Sequence, residues 1–283
     1  MNAAESLADF LIEPVVRAAL AEDLGPAGDV TSLACIDADA RLEAVFVVRS
    51  EGVLAGLACA RLAFAALDPE VRFEAAAADG ARISAGQRLA RVEGLARAIL
   101  AGERVALNLL SRLSGVATLT AAYVGEVRDA KARIVDTRKT TPGLRALEKY
   151  AVRCGGGASH RFGLGDAILI KDNHVAACGG VGPALIRARE RVGHTMKIEI
   201  EVDNLDQLRE ALEHRPDIVM LDNFALDDLH AAVALAAGRV ILEASGGVDL
   251  KSVGAIAATG VDIISVGAIT HSAPALDIGL DVL

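Results

Sequence analysis

Ala167-Ile168-Leu169-Ile170-Lys171-Asp172-Asn173-His174 is a short apolar run followed at once by four polar residues. Such a run is too short for a core helix and reads as a buried strand that opens into a polar loop. The same design recurs along residues 131–270: Ile134-Val135-Asp136 before Thr137-Arg138-Lys139, Lys197-Ile198-Glu199-Ile200-Glu201-Val202 before Asp203-Asn204, and Ile218-Val219-Met220-Leu221 before Asp222-Asn223. Val240-Ile241-Leu242-Glu243-Ala244 before Ser245-Gly246-Gly247 and Ile263-Ile264-Ser265-Val266 before Gly267-Ala268 complete the set. Amphipathic helical stretches separate these segments. About six parallel strands joined by right-handed crossovers close, or nearly close, an α/β barrel, and in such barrels the C-terminal strand ends carry the site.

Upstream the architecture changes. Residues 10–23 have helical spacing, and Gly25-Pro26-Ala27-Gly28-Asp29 breaks it. Ala44-Val45-Phe46-Val47-Val48, Val71-Arg72-Phe73-Glu74 and Arg88-Leu89-Ala90-Arg91-Val92 read as strands, with a helix over 57–67 and tight turns at Gly80, Gly86 and Gly94. Residues 95–127 are helical in pattern, interrupted by Glu103, Arg104, Asn108 and Arg112, and read as a linker helix. The expected division is therefore an α/β domain over residues 1–110, joined by the C-terminal tail 271–283, and a barrel domain over 111–270.

The chain has 283 residues, 53% hydrophobic and 3% aromatic, long enough for a large helix–sheet core. No run reads as a membrane span and the N-terminus lacks a secretory pattern, so a cytoplasmic protein with no membrane partner is expected. Cys35, Cys59, Cys154 and Cys178 have neither disulfide nor zinc spacing and are expected as reduced thiols, Cys154 as a small buried filler rather than a nucleophile. A net charge of −9 argues against nucleic acid. Residues 133–171 reverse the sign: eight Lys/Arg against three acids give +5, a basic island suited to a small, multiply charged anion.

Arg138, Lys139, Arg161 and Lys171, with His160, form a cationic set at strand ends and in the adjoining loop, where guanidinium forks hold carboxylates and ammonium groups meet phosphates. Arg145, Lys149 and Arg153 lie on a helix with Glu148, where a solvated face and a functional one are equally open. Gly155-Gly156-Gly157 is expected to let backbone approach a ligand or a loop close. Ser245-Gly246-Gly247 and Gly267-Ala268 suit a phosphate bound by backbone N–H groups. Glu201 and Asp222 either pair with Lys171 or Arg161, or bind ribose hydroxyls beside Mg²⁺; Glu199 shares the face of Glu201 and is a further candidate. Neither a P-loop nor a strand-linked GxGxxG occurs.

The chain resembles the quinolinate phosphoribosyltransferase family, also called carboxylating nicotinate-nucleotide pyrophosphorylase. The resemblance rests on Asp136-Thr137-Arg138-Lys139-Thr140-Thr141-Pro142-Gly143-Leu144-Arg145, Glu148-Lys149-Tyr150-Ala151-Val152, His160-Arg161, Leu169-Ile170-Lys171-Asp172-Asn173-His174, Glu199-Ile200-Glu201-Val202, Leu221-Asp222-Asn223, Glu243-Ala244-Ser245-Gly246-Gly247 and Ser265-Val266-Gly267-Ala268, with Gly102-Glu103-Arg104-Val105 upstream. It implies an N-terminal open α/β sandwich, a barrel of about six strands, and a homodimer with shared sites, a higher oligomer being left open. It also implies the reaction of quinolinate with 5-phosphoribosyl-1-pyrophosphate and Mg²⁺ to give nicotinate mononucleotide, pyrophosphate and carbon dioxide in de novo NAD synthesis. Within that reaction Arg138, His160, Arg161 and the partner subunit's Arg104 would hold the carboxylates. Lys139 and Lys171 would neutralise pyrophosphate, with Glu201 and Asp222 at the ribose or metal. Thr137, Ser245, Gly246, Gly247, Val266, Gly267 and Ala268 would complete substrate binding. Two alternatives are a barrel relative associated with molybdenum transport, which shares a similar Thr-Arg-Lys-Thr core, and a non-catalytic anion-binding barrel.

Overall fold

A computed structural model describes residues 6–283. The chain separates into two compact units that interleave in sequence: residues to Ala121 with Thr140–Gly156 and Ile269–Leu283 form the first, and Ala122–Lys139 with Gly157–Ala268 the second. Against the expected domains, 1–110 with the tail 271–283 and 111–270, the first unit runs on to Ala121, takes the tail from Ile269, and also takes in Thr140–Gly156.

In the first unit the strands are β1 (Arg41–Val48), β2 (Gly52–Val53), β3 (Arg72–Ala75), β4 (Arg82–Ile83) and β5 (Arg88–Leu95). The second unit holds β6 (Arg133–Val135), β7 (Ile168–Ile170), β8 (Ile198–Val202), β9 (Ile218–Asp222), β10 (Ile241–Ser245) and β11 (Ile263–Ser265), and β12 (Ile278–Val282) returns to the first. Every strand read from the sequence is present. The antiparallel sheet has the order β12-β1-β5-β3, and β2 pairs with β4 in a separate ribbon. Phe46, Phe64 and Phe73 cluster with ring centroids 5.9 to 6.4 Å apart, tying β1 and β3 to the helix Leu57–Ala65. Asp79 accepts from the Gly56 and Leu57 N–H groups at the start of that helix, at 2.9 and 3.2 Å, and from the Tyr150 hydroxyl at 2.8 Å.

The helix Arg145–Cys154 settles the open question about its charges. Glu148 is 0% and Lys149 2% exposed, so this is not a solvated face, although Arg153 is exposed. Glu148 accepts from Arg112 Nε and Nη2 at 3.2 and 2.8 Å, from the Thr141 hydroxyl at 2.8 Å and from the Thr141 N–H at 3.0 Å. Arg112 also donates to the carbonyls of Thr270 and Ala273, which ties the C-terminal segment to the long helix Ala96–Glu126. Gly155 has a packing role rather than the expected ligand or hinge role: a Cβ there would lie 2.4 Å from the Ala117 carbonyl and 2.6 Å from Thr120 Cβ. Cys154 is buried, and burial first and Asp79 second push its thiol up to about 12, which fits a filler and not a nucleophile. Contrary to the sequence expectation, Ala96–Glu126 is by length and composition apolar enough to cross a membrane; 61% of its apolar window is buried within the fold, as in a core helix.

The second unit is the expected parallel α/β layer. Its strand order is β6-β11-β10-β9-β8-β7, so the sheet curls through six strands in parallel register and leaves β6 and β7 as its two ends. A single bridge from Val135 to Ala158 extends the β6 side. Alternation assigns the faces. Ile200, Val219, Leu221, Leu242, Ala244 and Ile264 are buried on the helix side, whereas Glu199, Glu201, Met220, Asp222, Glu243, Ser245 and Ser265 stand on the other. Helices follow where capping residues fall: Asn204 accepts from the Asp206 and Gln207 N–H groups at 3.1 and 2.9 Å and starts the helix Leu205–Glu213.

Two stability predictions follow from this packing. Arg112→Ala strands the Glu148 carboxylate in the interior and is expected to destabilise the fold by about 3–5 kcal/mol in denaturant titration. Gly115→Ala places Cβ 1.9 Å from the Pro274 carbonyl oxygen and is expected to cost about 1–3 kcal/mol, whereas Gly125→Ala, exposed on the same helix with nothing within 4 Å, is expected to gain about 0.5–1 kcal/mol.

Candidate active site

The C-terminal ends of the six parallel strands open onto a cavity of about 430 Å³. Thr137, Arg138 and Lys139 reach it from beyond β6, His160 and Arg161 from the loop before β7, and Lys171 from just beyond β7. Glu201, Asp222 and Ser245 enter from the ends of β8, β9 and β10, with Met220, Glu243 and Ser265 deeper on the same face. Nine residues predicted as site residues from the sequence therefore converge on one mouth. The strand period makes this possible: Glu201 pairs in register with Met220, Met220 with Glu243 and Asp222 with Ser245.

Arg161 is partly buried and donates from Nη1 to the Ala167 carbonyl at 3.2 Å, while its Nε lies buried without a hydrogen-bond partner. Burial first, and the neighbouring Arg138 guanidinium second, lower its pKa. Two like charges held side by side at a concave surface are arranged for an anion. Asp166 accepts from the Phe162 and Gly163 N–H groups at 2.5 and 2.7 Å and shapes the loop carrying Arg161. Lys171 Nζ forms an ion pair with Glu201, and its backbone N–H donates to His174 Nδ1 at 2.9 Å, which places His174 at the start of the helix Asp172–Cys178. Asp222 accepts from the Asn223 amide at 2.7 Å.

His160 stands apart from the other cationic-set residues. Its Nδ1 lies 2.8 Å from the Arg161 N–H, and its Nε2 faces Glu199 at 3.1 Å and Glu243 at 3.6 Å, so the imidazole is turned toward carboxylates. Its own backbone N–H donates to Asp136 at 2.9 Å, and Asp136 is fully buried at the end of β6. Burial, then the Glu199 carboxylate, raise Glu243 to about 7, with His160, Ser265 and Lys171 acting the other way.

The turn after β10 uses left-handed backbone. Gly246 and Gly247 have φ of +91° and +61°, and a Cβ on Gly246 would stand 2.2 Å from Asn223 Oδ1, so glycine is required there. Val266 is buried and its N–H donates to the Val135 carbonyl at 3.0 Å, leaving Gly267 and Ala268 at the turn into the short helix Ala268–His271. Arg104 is exposed on Ala96–Glu126 in the first unit.

Two donor sets bear on a metal. His160, Glu199 and Glu243 offer ligand atoms within 4.8 Å of one another, but they are mostly buried and already joined by a hydrogen bond. Glu201 and Asp222, oxygen donors with partial exposure at the mouth, match the chemistry of Mg²⁺ better. Met220, Glu243 and Ser265 line the mouth without having been predicted as site residues, and Glu243 is the charged one among them. The available signal was its alternation with Ser245 along one strand, the same rule that had flagged Glu199 beside Glu201.

A barrel mouth that gathers cations, carboxylates and glycine turns defines a protein for a small, multiply charged ligand. Family models agree in detail: residues 29–114 match "Quinolinate phosphoribosyl transferase, N-terminal domain" and residues 116–281 the C-terminal domain of the same name. The nicotinate-nucleotide pyrophosphorylase [carboxylating] of Mycobacterium leprae is 47% identical over 94% of this chain and 95% of its own. Quinolinate phosphoribosyltransferase [decarboxylating] 1b of Nicotiana tabacum is 40% identical over 99% of this chain and 87% of its own. The solved structure of the nicotinate-nucleotide pyrophosphorylase from Francisella tularensis superposes with a TM-score of 0.94 at 41% identity, covering 100% of both chains. The chain belongs to the quinolinate phosphoribosyl transferase family.

Since Arg161 is a partly buried cation beside another cation, Arg161→Met is expected to raise the melting temperature of the unliganded protein. The same variant should lose the stabilisation that quinolinate gives the parent in a thermal-shift measurement.

Proposed function

We propose that this protein transfers the phosphoribosyl group of 5-phosphoribosyl-1-pyrophosphate to quinolinate and releases one carboxylate as carbon dioxide, giving nicotinate mononucleotide and pyrophosphate for NAD synthesis. The observation that carries the reading is the convergence of Arg138, Arg161, Lys171, Glu201 and Asp222 at one barrel mouth in a chain of this family.

In this reading Arg138 and Arg161 hold the two carboxylates and point the ring nitrogen at the ribose, so catalysis starts as positioning. The nitrogen bonds to C1 as the C1–O bond to pyrophosphate breaks, the oxygen keeping the electron pair. Lys139 and Lys171 neutralise that leaving group, and Thr137 completes the polar wall beside it. Glu201 and Asp222 lie where C1 becomes cation-like; they are also the residues that would hold Mg²⁺, which supplies charge neutralisation for pyrophosphate. Ser245, Gly246, Gly247 and Ala268 receive the 5′-phosphate through backbone N–H groups and the serine hydroxyl, with Val266, whose N–H goes to the Val135 carbonyl, and Gly267 shaping the second turn. The bond to the carboxylate beside the nitrogen then breaks, its electrons remain on the ring carbon, and a proton replaces the departed carbon dioxide. A homodimer completes the pocket with the partner subunit's Arg104.

The expected result is pyrophosphate release with quinolinate and none with nicotinate; activity on nicotinate alone would move the protein to another phosphoribosyltransferase class. Arg138→Ala is expected to lower kcat/KM by about 10³-fold or more with the fold intact by circular dichroism. Mixing inactive Arg104→Ala and inactive Lys171→Ala proteins under subunit exchange should restore activity if sites are shared, and the absence of any recovery would count against the shared site.

A further inference from the structure

The cluster His160, Glu199 and Glu243 lies beneath the cationic mouth and is not used by the transfer chemistry. Glu199 and Glu243 are 3% and 1% exposed, and Oε1 of each lacks a hydrogen-bond partner. Between them stands one imidazole. The ring presents Nε2 to both, at 3.1 Å from Glu199 Oε2 and 3.6 Å from Glu243 Oε2. One imidazole, even as a cation, cannot balance two ionised carboxylates in a dry interior, where their mutual repulsion is least screened. A proton on one of them removes the conflict, and Glu243 is the more deeply buried. Its elevation by burial and by Glu199 agrees with that choice.

We propose that the buried Glu243 carboxyl carries a proton when the substrate dicarboxylate is bound, so that dianion binding at the barrel mouth is coupled to uptake of that proton. The surroundings give the coupling its sign. Arg138, Lys139, Arg161 and Lys171 supply four positive charges around this mouth. Asp136 from the end of β6, Glu199 and Glu201 from β8, Asp222 from β9 and Asp166 beside Arg161 supply negative ones, with His160 between Glu199 and Glu243 and a neutral Ser265 on β11. Ionising Glu243 therefore adds one more negative charge beneath the mouth before a ligand with two more arrives. The free protein can lose this proton as pH rises; the complex holds it more strongly. Glu243 acts here through the field and through His160, as a positioning residue.

The inference rests on quinolinate being the ligand, and calorimetry separates the two ideas. Titrating quinolinate into the full-length protein at pH 8, in buffers of different ionisation enthalpy, reads proton exchange directly. Uptake approaching one proton per site is expected, with Kd weakening about tenfold per pH unit once Glu243 is ionised in the free protein. In Glu243→Gln, which keeps size and neutrality, the uptake should vanish and the pH dependence of both Kd and KM should flatten, whatever the absolute rate. Binding without proton uptake in the parent overturns the inference alone, and unchanged uptake in Glu243→Gln does the same by assigning the proton elsewhere. A parent protein that turns over 5-phosphoribosyl-1-pyrophosphate with another acceptor and does not bind quinolinate overturns the functional reading beneath it.

Discussion

Three carboxylates set the terms for the second unit: Asp136, Glu199 and Glu243 are each 3% exposed or less, inside a parallel sheet whose other face is buried under helices. Charges of one sign at that depth must be answered by donors or by protons. The answers come from the segment before β7. The His160 backbone N–H reaches Asp136, its imidazole reaches Glu199 and Glu243, and Arg161 follows immediately in sequence. Burying the carboxylates therefore fixes the loop, and fixing the loop aims Arg161 beside Arg138 at the mouth. Stability and substrate recognition share one set of contacts.

The same logic separates the two kinds of charged group in the chain. Glu148 is fully buried but answered by Arg112 and Thr141, which makes it a structural tie in the first unit. Arg161 is partly buried beside another cation, Arg138, with Glu199 and Asp166 acting on it the other way, and it stands at the mouth rather than in a closed pair. A charge locked into a buried pair stabilises; a charge held at a concave mouth beside a like charge is available to recognise an anion.

Much of this was legible from periodicity. All six barrel strands could be read because each is a short apolar run closed by polar residues, and the alternation along Glu199-Ile200-Glu201 assigned faces without a structure. The return of Thr140–Gly156 to the first unit was not legible, because nothing local in it records that its helix packs with residues far back in the chain. Whether the helix bearing Glu148 and Lys149 had a solvated or a functional face stayed open for the same reason: Glu148 is answered by Arg112, thirty-six residues away in sequence. That the His160 ring faces Glu199 and Glu243 was not legible, because those carboxylates lie on strands far from it in sequence. The demand on Gly155 was not legible, since it comes from the packed helix that carries Ala117 and Thr120.

The measurement that bears most directly on the account is the fate of the carboxylate beside the ring nitrogen. With quinolinate carrying ¹³C in that group, and 5-phosphoribosyl-1-pyrophosphate with Mg²⁺ present, ¹³C spectra should show the label leaving as carbon dioxide and bicarbonate in step with nicotinate mononucleotide formation. Retention of the label in a ribosylated product, or formation of nicotinate mononucleotide without its release, would contradict the assignment.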